Sequence, residues 1–205
     1  QFPVELNAVT RAFFERMAPI VGGATGEAMV ALARNPNDAE AAATLARNAS
    51  YNAIMRTTCV ATQVDAGHAP NALPQRAVAT LSCRVLQGHT PEEVQAELQR
   101  AVGDEQINVE IVRRRDGSSP PRLTRAIMGP VERVAARMWP DVPIIPLMSP
   151  GATDGRFLNN AGIPTYGMSG MFSTPGENNA HGLDEKLRAQ SLYEGRDFLE
   201  AIVRE

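Results

Sequence analysis

The residues best suited to chemistry lie near the end of the chain, in G-E-N-N-A-H-G-L-D-E-K at 176–186. There His181 stands among small and acidic residues, with Asp184 and Glu185 close behind. A neutral imidazole suits zinc, and neighbouring carboxylates can orient it through hydrogen bonds. A catalytic zinc site still needs several donors converging on one ion. The other histidines, His68 and His89, lie far upstream. On spacing alone His181 is readable both as a ligand and as an exposed loop residue.

Two glycine-bearing loops stand before it. S-P-G-A-T-D-G-R, 149–156, follows an apolar run and opens a short helical pattern. Thr153 or Asp154 can cap that helix, and its N–H groups can hold a carboxylate; an ordinary strand-to-helix turn would look the same. G-M-S-G-M-F, 167–172, follows a second apolar run and leads into the His181 loop. If both runs are strands, the loops sit at their carboxyl ends, where open α/β sheets place ligands.

The elements that must position these residues can be read from periodicity. Residues 5–17 carry Val9, Phe13 and Met17 at helical spacing, and D-A-E-A-A-A-T-L-A-R at 38–47 is good helix sequence. Thr57–Val64 is rich in β-branched residues. Ala77–Leu86 alternates, with Thr80, Ser82 and Arg84 on the polar side, and predicts a half-buried strand. Thr90-Pro91-Glu92-Glu93 is a capping box with proline at the first helical position, and Val94, Leu98, Ala101 and Val102 are the apolar face behind it. Ile107, Val109 and Ile111 predict one more strand. Residues 1–113 therefore lack only a leading strand to be a ferredoxin-like unit.

R-R-D-G-S-S-P-P, 114–121, reads as a linker. Beyond it a helix over 122–138, kinked or restarted at Gly129-Pro130, precedes short strands at 144–148 and 163–168 and a short helix at 154–160. A closing helix over 187–203 has Leu192, Leu199, Ile202 and Val203 on one face. This alternation predicts a parallel or mixed sheet covered by helices.

Composition narrows the class. With 43% hydrophobic and 21% charged residues the chain can bury an ordinary core. A net charge of −3 gives no nucleic-acid footprint, and Arg113-Arg114-Arg115 is too short to make one. No apolar stretch reaches the roughly 20 residues of a membrane span. The opening Gln-Phe-Pro-Val, without Met, reads as a piece of a longer protein or its processed remainder. Cys59 and Cys83 fall in the two expected strands. If these form a hairpin turning near Pro70, a cross-strand disulfide and two reduced, packed thiols are both open, the reduced pair being the plainer reading.

Taken together, G-A-T-D-G-R-F-L-x-x-A-G-I-P-T-Y-G, then A-H-G-L-D-E and a Tyr-Glu-Gly helix, resemble the end of the dinuclear-zinc metallopeptidases. That family includes glutamate carboxypeptidase, aminoacylase, carnosinase-like dipeptidases and succinyl-diaminopimelate desuccinylase. N-A-L-P-Q, L-S-C-R-V-L and G-H-T-P-E-E-V resemble its inserted lid, in the same order. The resemblance implies an α/β fold: a ferredoxin-like α+β lid and dimerisation domain at 1–113, lacking its first strand, and half of a zinc-exopeptidase-type α/β catalytic domain at 114–205.

It further implies that His181 is a zinc ligand in a site of two Zn2+ ions. The family's other metal ligands and its general base all come earlier and are not in this chain, which is expected to be inactive by itself. Asn71 and Arg84 match the family's lid pair that holds the substrate's carboxylate or scissile amide. Gly151 and Thr153 would meet the same end from the catalytic side. The implied substrate is a small peptide or N-acyl amino acid, and the implied assembly a homodimer through the lid. His68 has no matching family role, His89 reads as structural or solvated, and the compartment stays open. The rival reading is a non-catalytic dimerisation or interaction module.

Overall fold

The computed structural model of the chain describes residues 1–114, 117, 122–174 and 179–205. The 205 residues divide into two compact units. One comprises Gln1–Ser119 with Ile145–Asn160; the other comprises Pro120–Ile144 with Ala161–Glu205.

The first unit begins with four helices: α1 (Ala8–Val21), α2 (Gly23–Arg34), α3 (Ala39–Ala46) and α4 (Ala49–Met55). Asn7, Asp38 and Asn48 cap α1, α3 and α4 by accepting backbone N–H groups through their side chains. Phe14, Met29, Leu32, Leu45 and Met55 are fully buried between them, with Phe13 edge-on to Phe14 at 5.5 Å between ring centres. α1 and α2 approach closely at one point. A Cβ on Gly26 would stand 2.5 Å from the Ala18 carbonyl oxygen, so only glycine allows that crossing. The sequence reading missed α2, whose two glycines weaken its helical signal, and α4, which has only seven residues.

After α4 the chain forms an antiparallel hairpin, β1 (Thr58–Ala66) and β2 (Ala77–Arg84), paired from Thr58↔Arg84 to Ala66↔Ala77. The register shifts between Ala61 and Gln63, where the Thr62 hydroxyl donates to the Thr80 carbonyl oxygen at 3.2 Å. The expected half-buried strand is not seen, because both strands are exposed along nearly their whole length. Cys59 and Cys83 are directly opposite and joined by a disulfide, which overturns the preference for reduced thiols.

α5 (Pro91–Val102) starts on the expected capping box, with the Thr90 side chain accepting from the Glu93 N–H and Glu93 accepting in return. Of its expected apolar face only Val94 is buried; Leu98 is half-buried and Ala101 and Val102 are exposed. His89 is structural: its ring nitrogens lie 3.2 Å from Glu93 and 3.0 Å from Glu5. No strand forms at 107–111. Side chains of α5 occupy its backbone instead, with the Gln95 amide donating to Val109 O and Gln99 exchanging bonds with Ile107 O and Val109 N–H.

Nor are 144–148 and 163–168 strands. The described residues hold one two-stranded sheet and no parallel or mixed sheet. A strand is defined by its pairing in a sheet, and the sheet of the described residues is made of β1 and β2. Met148 is buried in the first core, and α7 (Gly155–Asn160) follows. In the second unit α6 (Arg125–Met138) runs unbroken through Pro130, and α8 (Ala189–Arg204) closes the chain. Val131, Val134, Ala135 and Phe198 form the core of this unit. Among the described residues no helix is long and apolar enough to cross a membrane. Most of the linker expected at 114–121 lies outside the described residues.

Candidate functional site

His181 sits at the apex of a tight turn. Its φ is +66° and that of Asn179 is +46°, and these are the only non-glycine residues described with left-handed backbone. The turn is closed by Gly182 N–H donating to Asn179 O at 2.7 Å. A Cβ on Gly182 would stand 2.9 Å from that oxygen, so glycine is required there. Asp184 accepts from the Asn179 amide at 2.8 Å, and Glu185 accepts from the His181 backbone N–H at 3.1 Å. The two carboxylates expected to orient the imidazole therefore hold the turn that presents it. The side chain itself is exposed. Left-handed backbone costs a residue with a Cβ about 1–2 kcal/mol, and strain of this kind clusters at functional sites.

The segment leading into this loop is seated on α8. Ser191 is buried; its hydroxyl donates to Phe172 O at 2.7 Å and accepts the Phe172 N–H, so one side chain completes both backbone groups. One turn on, a Cβ at Gly195 would stand 2.5 Å from Met171 Cγ and 2.8 Å from Ser169 O. Trp139 packs edge-on against Phe172, with ring centres 4.9 Å apart. The sequence reading missed Ser191 and Gly195 because neither carries an apolar signal. The inward face of α8 is Ser191, Gly195 and Phe198, while Leu192, Leu199 and Val203 are exposed. The only clue was the helical spacing of the small residues.

Arg84 is the last residue of β2, opposite Thr58, exposed and on the polar side with Thr80 and Ser82. Asn71 lies in the loop beyond Ala66↔Ala77 at the other end of the hairpin. At about 3.4 Å per residue the paired strand carries the chain roughly 24 Å from Arg84 to Ala77, where that loop ends. Gly151 donates its N–H to Ser149 Oγ at 3.2 Å, within its own turn. Thr153 and Asp154 open α7 through their carbonyls, which accept from Arg156 and Phe157; Thr153 is exposed. Asn71, Arg84, Gly151 and Thr153 belong to the first unit and His181 to the second.

A zinc site needs more than one donor. Among the described residues no three His, Cys, Asp or Glu side chains converge in a way that could hold a metal. Residues 175–178, including Glu177, lie outside the described residues.

Residues 21–110 match the family described as the peptidase dimerisation domain, M20_dimer. The chain is 28% identical over 162 residues to the human N-fatty-acyl-amino acid synthase/hydrolase PM20D1, a match covering 77% of this chain and 32% of that protein. It is 22% identical over 162 residues to the probable carboxypeptidase S-like 2 of Dictyostelium discoideum, covering 78% and 31%. The chain thus spans about a third of the length of these relatives. Its fold is like that of the M20 family metallo-carboxypeptidase Sso-CP2 from Sulfolobus solfataricus, with a TM-score of 0.56 at 19% identity, over 98% of this chain and 45% of that one. The chain is thus similar to the M20 peptidase dimerisation domain over residues 21–110, and in fold to an M20 family metallo-carboxypeptidase.

Proposed function

We propose that this chain is the C-terminal part of a zinc-dependent metallopeptidase or amidohydrolase that cleaves a peptide or N-acyl amino acid next to a free carboxylate. The observation that carries the reading is the strained turn at Asn179–Gly182, which presents an exposed imidazole while two carboxylates brace its backbone. Nothing in the packing of that turn requires histidine. A ligand role does.

In this reading residues 1–113 are the lid and dimerisation domain, of ferredoxin-like kind, and 114–205 the second half of the catalytic domain. The match to a peptidase dimerisation domain supports the lid and a homodimer through it. Assignment of the Gly151–Thr153 loop to the catalytic half rests on its motif resemblance. His181 supplies one donor to a site of two Zn2+ ions whose other donors come from polypeptide outside this chain, so the chain by itself is inactive. Arg84 and Asn71 supply guanidinium and amide donors that suit a carboxylate. Arg84 ends the paired strand and Asn71 lies in the loop beyond its other end, so in this reading they serve different contacts, or different copies in a dimer. The names of the PM20D1 relatives point to N-acyl amino acids, which carry the free carboxylate this chemistry recognises.

The test is a panel of N-acyl amino acids and dipeptides, each paired with its methyl ester, assayed on the full-length protein with and without a chelator. Hydrolysis of the free acids, loss of rate on the esters, and dependence on restored zinc are expected. Full activity in the chelated protein, or equal rates on acid and ester, contradicts the reading.

A further inference from the structure

We propose that the Cys59–Cys83 disulfide and the buried Thr57–Leu86 hydrogen bond form a clamp that positions Arg84 for carboxylate binding; this rests on the role given to Arg84 above. Cys83 immediately precedes Arg84 and is bonded to Cys59, directly across the hairpin. Thr58, which faces Arg84, is the neighbour of Cys59. On the other side of Arg84, Leu86 N–H donates to Thr57 Oγ1 at 2.9 Å, and both residues are buried, Leu86 within the first unit's core. Arg84 is bracketed by one covalent and one hydrogen-bonded crosslink.

Beyond this base the hairpin has no core to hold it. Val60 and Val64 are 64% and 73% exposed, and both strands face solvent. Two-stranded hairpins without a packed face are marginal, and strands without a buried face specify their register weakly. The bulge between Ala61 and Gln63 gives a slip somewhere to be absorbed. A slip of one residue turns every side chain to the opposite face, which would carry Arg84 away from the polar side. A disulfide between directly opposed cysteines forbids that slip where it matters. Neither cysteine touches substrate; both are positioning residues.

The experiment is a double-mutant cycle in the full-length enzyme, comparing Arg84→Ala, the pair Cys59→Ala/Cys83→Ala, and the triple variant. The cysteine pair is expected to raise KM for an N-acyl amino acid by on the order of three- to tenfold, with kcat and zinc content unchanged. The triple variant should be no worse than Arg84→Ala alone. Replacement by Cys59→Val/Cys83→Val, a well-packing cross-strand pair, should recover part of the KM. If the alanine pair does not fold, wild-type enzyme reduced and alkylated at both thiols gives the same comparison. An unchanged KM in the cysteine variant, or losses that simply multiply in the triple variant, overturns the clamp. No effect of Arg84→Ala alone overturns the underlying reading of Arg84 instead, so the two failures are distinct.

Discussion

Alanine at position 195 should destabilise the second unit, although alanine is the better helix former. Gly195 is interior to α8, where glycine costs about 1 kcal/mol relative to alanine. With open space beside it, Gly195→Ala would stabilise by that amount. The added methyl, however, would stand 2.5 Å from Met171 Cγ and 2.8 Å from the Ser169 carbonyl oxygen. The methionine can turn aside but the carbonyl belongs to backbone, so the segment or the helix must move. Overpacking of this kind costs about 1–3 kcal/mol, which leaves a net loss of up to about 2 kcal/mol. Trp139, the single tryptophan, packs against Phe172 and Phe198 and so reports on this unit by fluorescence. Urea unfolding of the chain followed at that tryptophan should show a lower midpoint, by up to about 1 M for an m-value near 2 kcal/mol/M. A midpoint raised by the full helix-propensity gain would refute the close seating of residues 169–172 on α8, and with it the route by which α8 places the segment leading to His181.

Three further outcomes concern the first unit. Phe14→Ala empties a fully buried site between α1 and its neighbours and should cost about 3–5 kcal/mol, measured by denaturant unfolding followed by circular dichroism; a loss below about 1 kcal/mol would contradict the core described. Thr90→Ala removes half of the capping box and should cost about 1 kcal/mol. The Glu93 carboxyl is held below its ordinary value, first by the Thr90 backbone N–H and then by His89. A lowered folded-state value means the contribution is complete above the unfolded value. It is therefore lost as pH falls from about 4.3 through the lowered one, and Glu93→Gln should flatten that acid limb of the stability curve.

What the sequence revealed follows from which signals are local. The capping box at Thr90–Glu93 names its own helix start, because both bonds are made within four residues. The hairpin pairing and the facing cysteines followed from two β-rich runs around a turn. The expected strands at 107–111, 144–148 and 163–168 failed for a different reason. Their apolar patterns are real, but a strand needs pairing in a sheet; α5 side chains bond the backbone at 107–109, Met148 is buried in the first core, and Ile163 and Met168 are exposed. The inward face of α8 was misread because Leu192, Leu199 and Val203 outshine Ser191 and Gly195 on any apolar scale. Close approach and a buried hydroxyl decided the packing instead. At the candidate site the motif around His181 was legible, whereas the left-handed turn and the bracing by Asp184 and Glu185 needed coordinates.

The central claim is that one imidazole in a braced turn donates to a metal. Zinc content of the purified full-length protein, measured for wild type and for His181→Ala at matched folding by circular dichroism, tests it most directly. The account predicts that the variant loses zinc and most hydrolytic activity. A folded variant that keeps the wild-type zinc stoichiometry would contradict it.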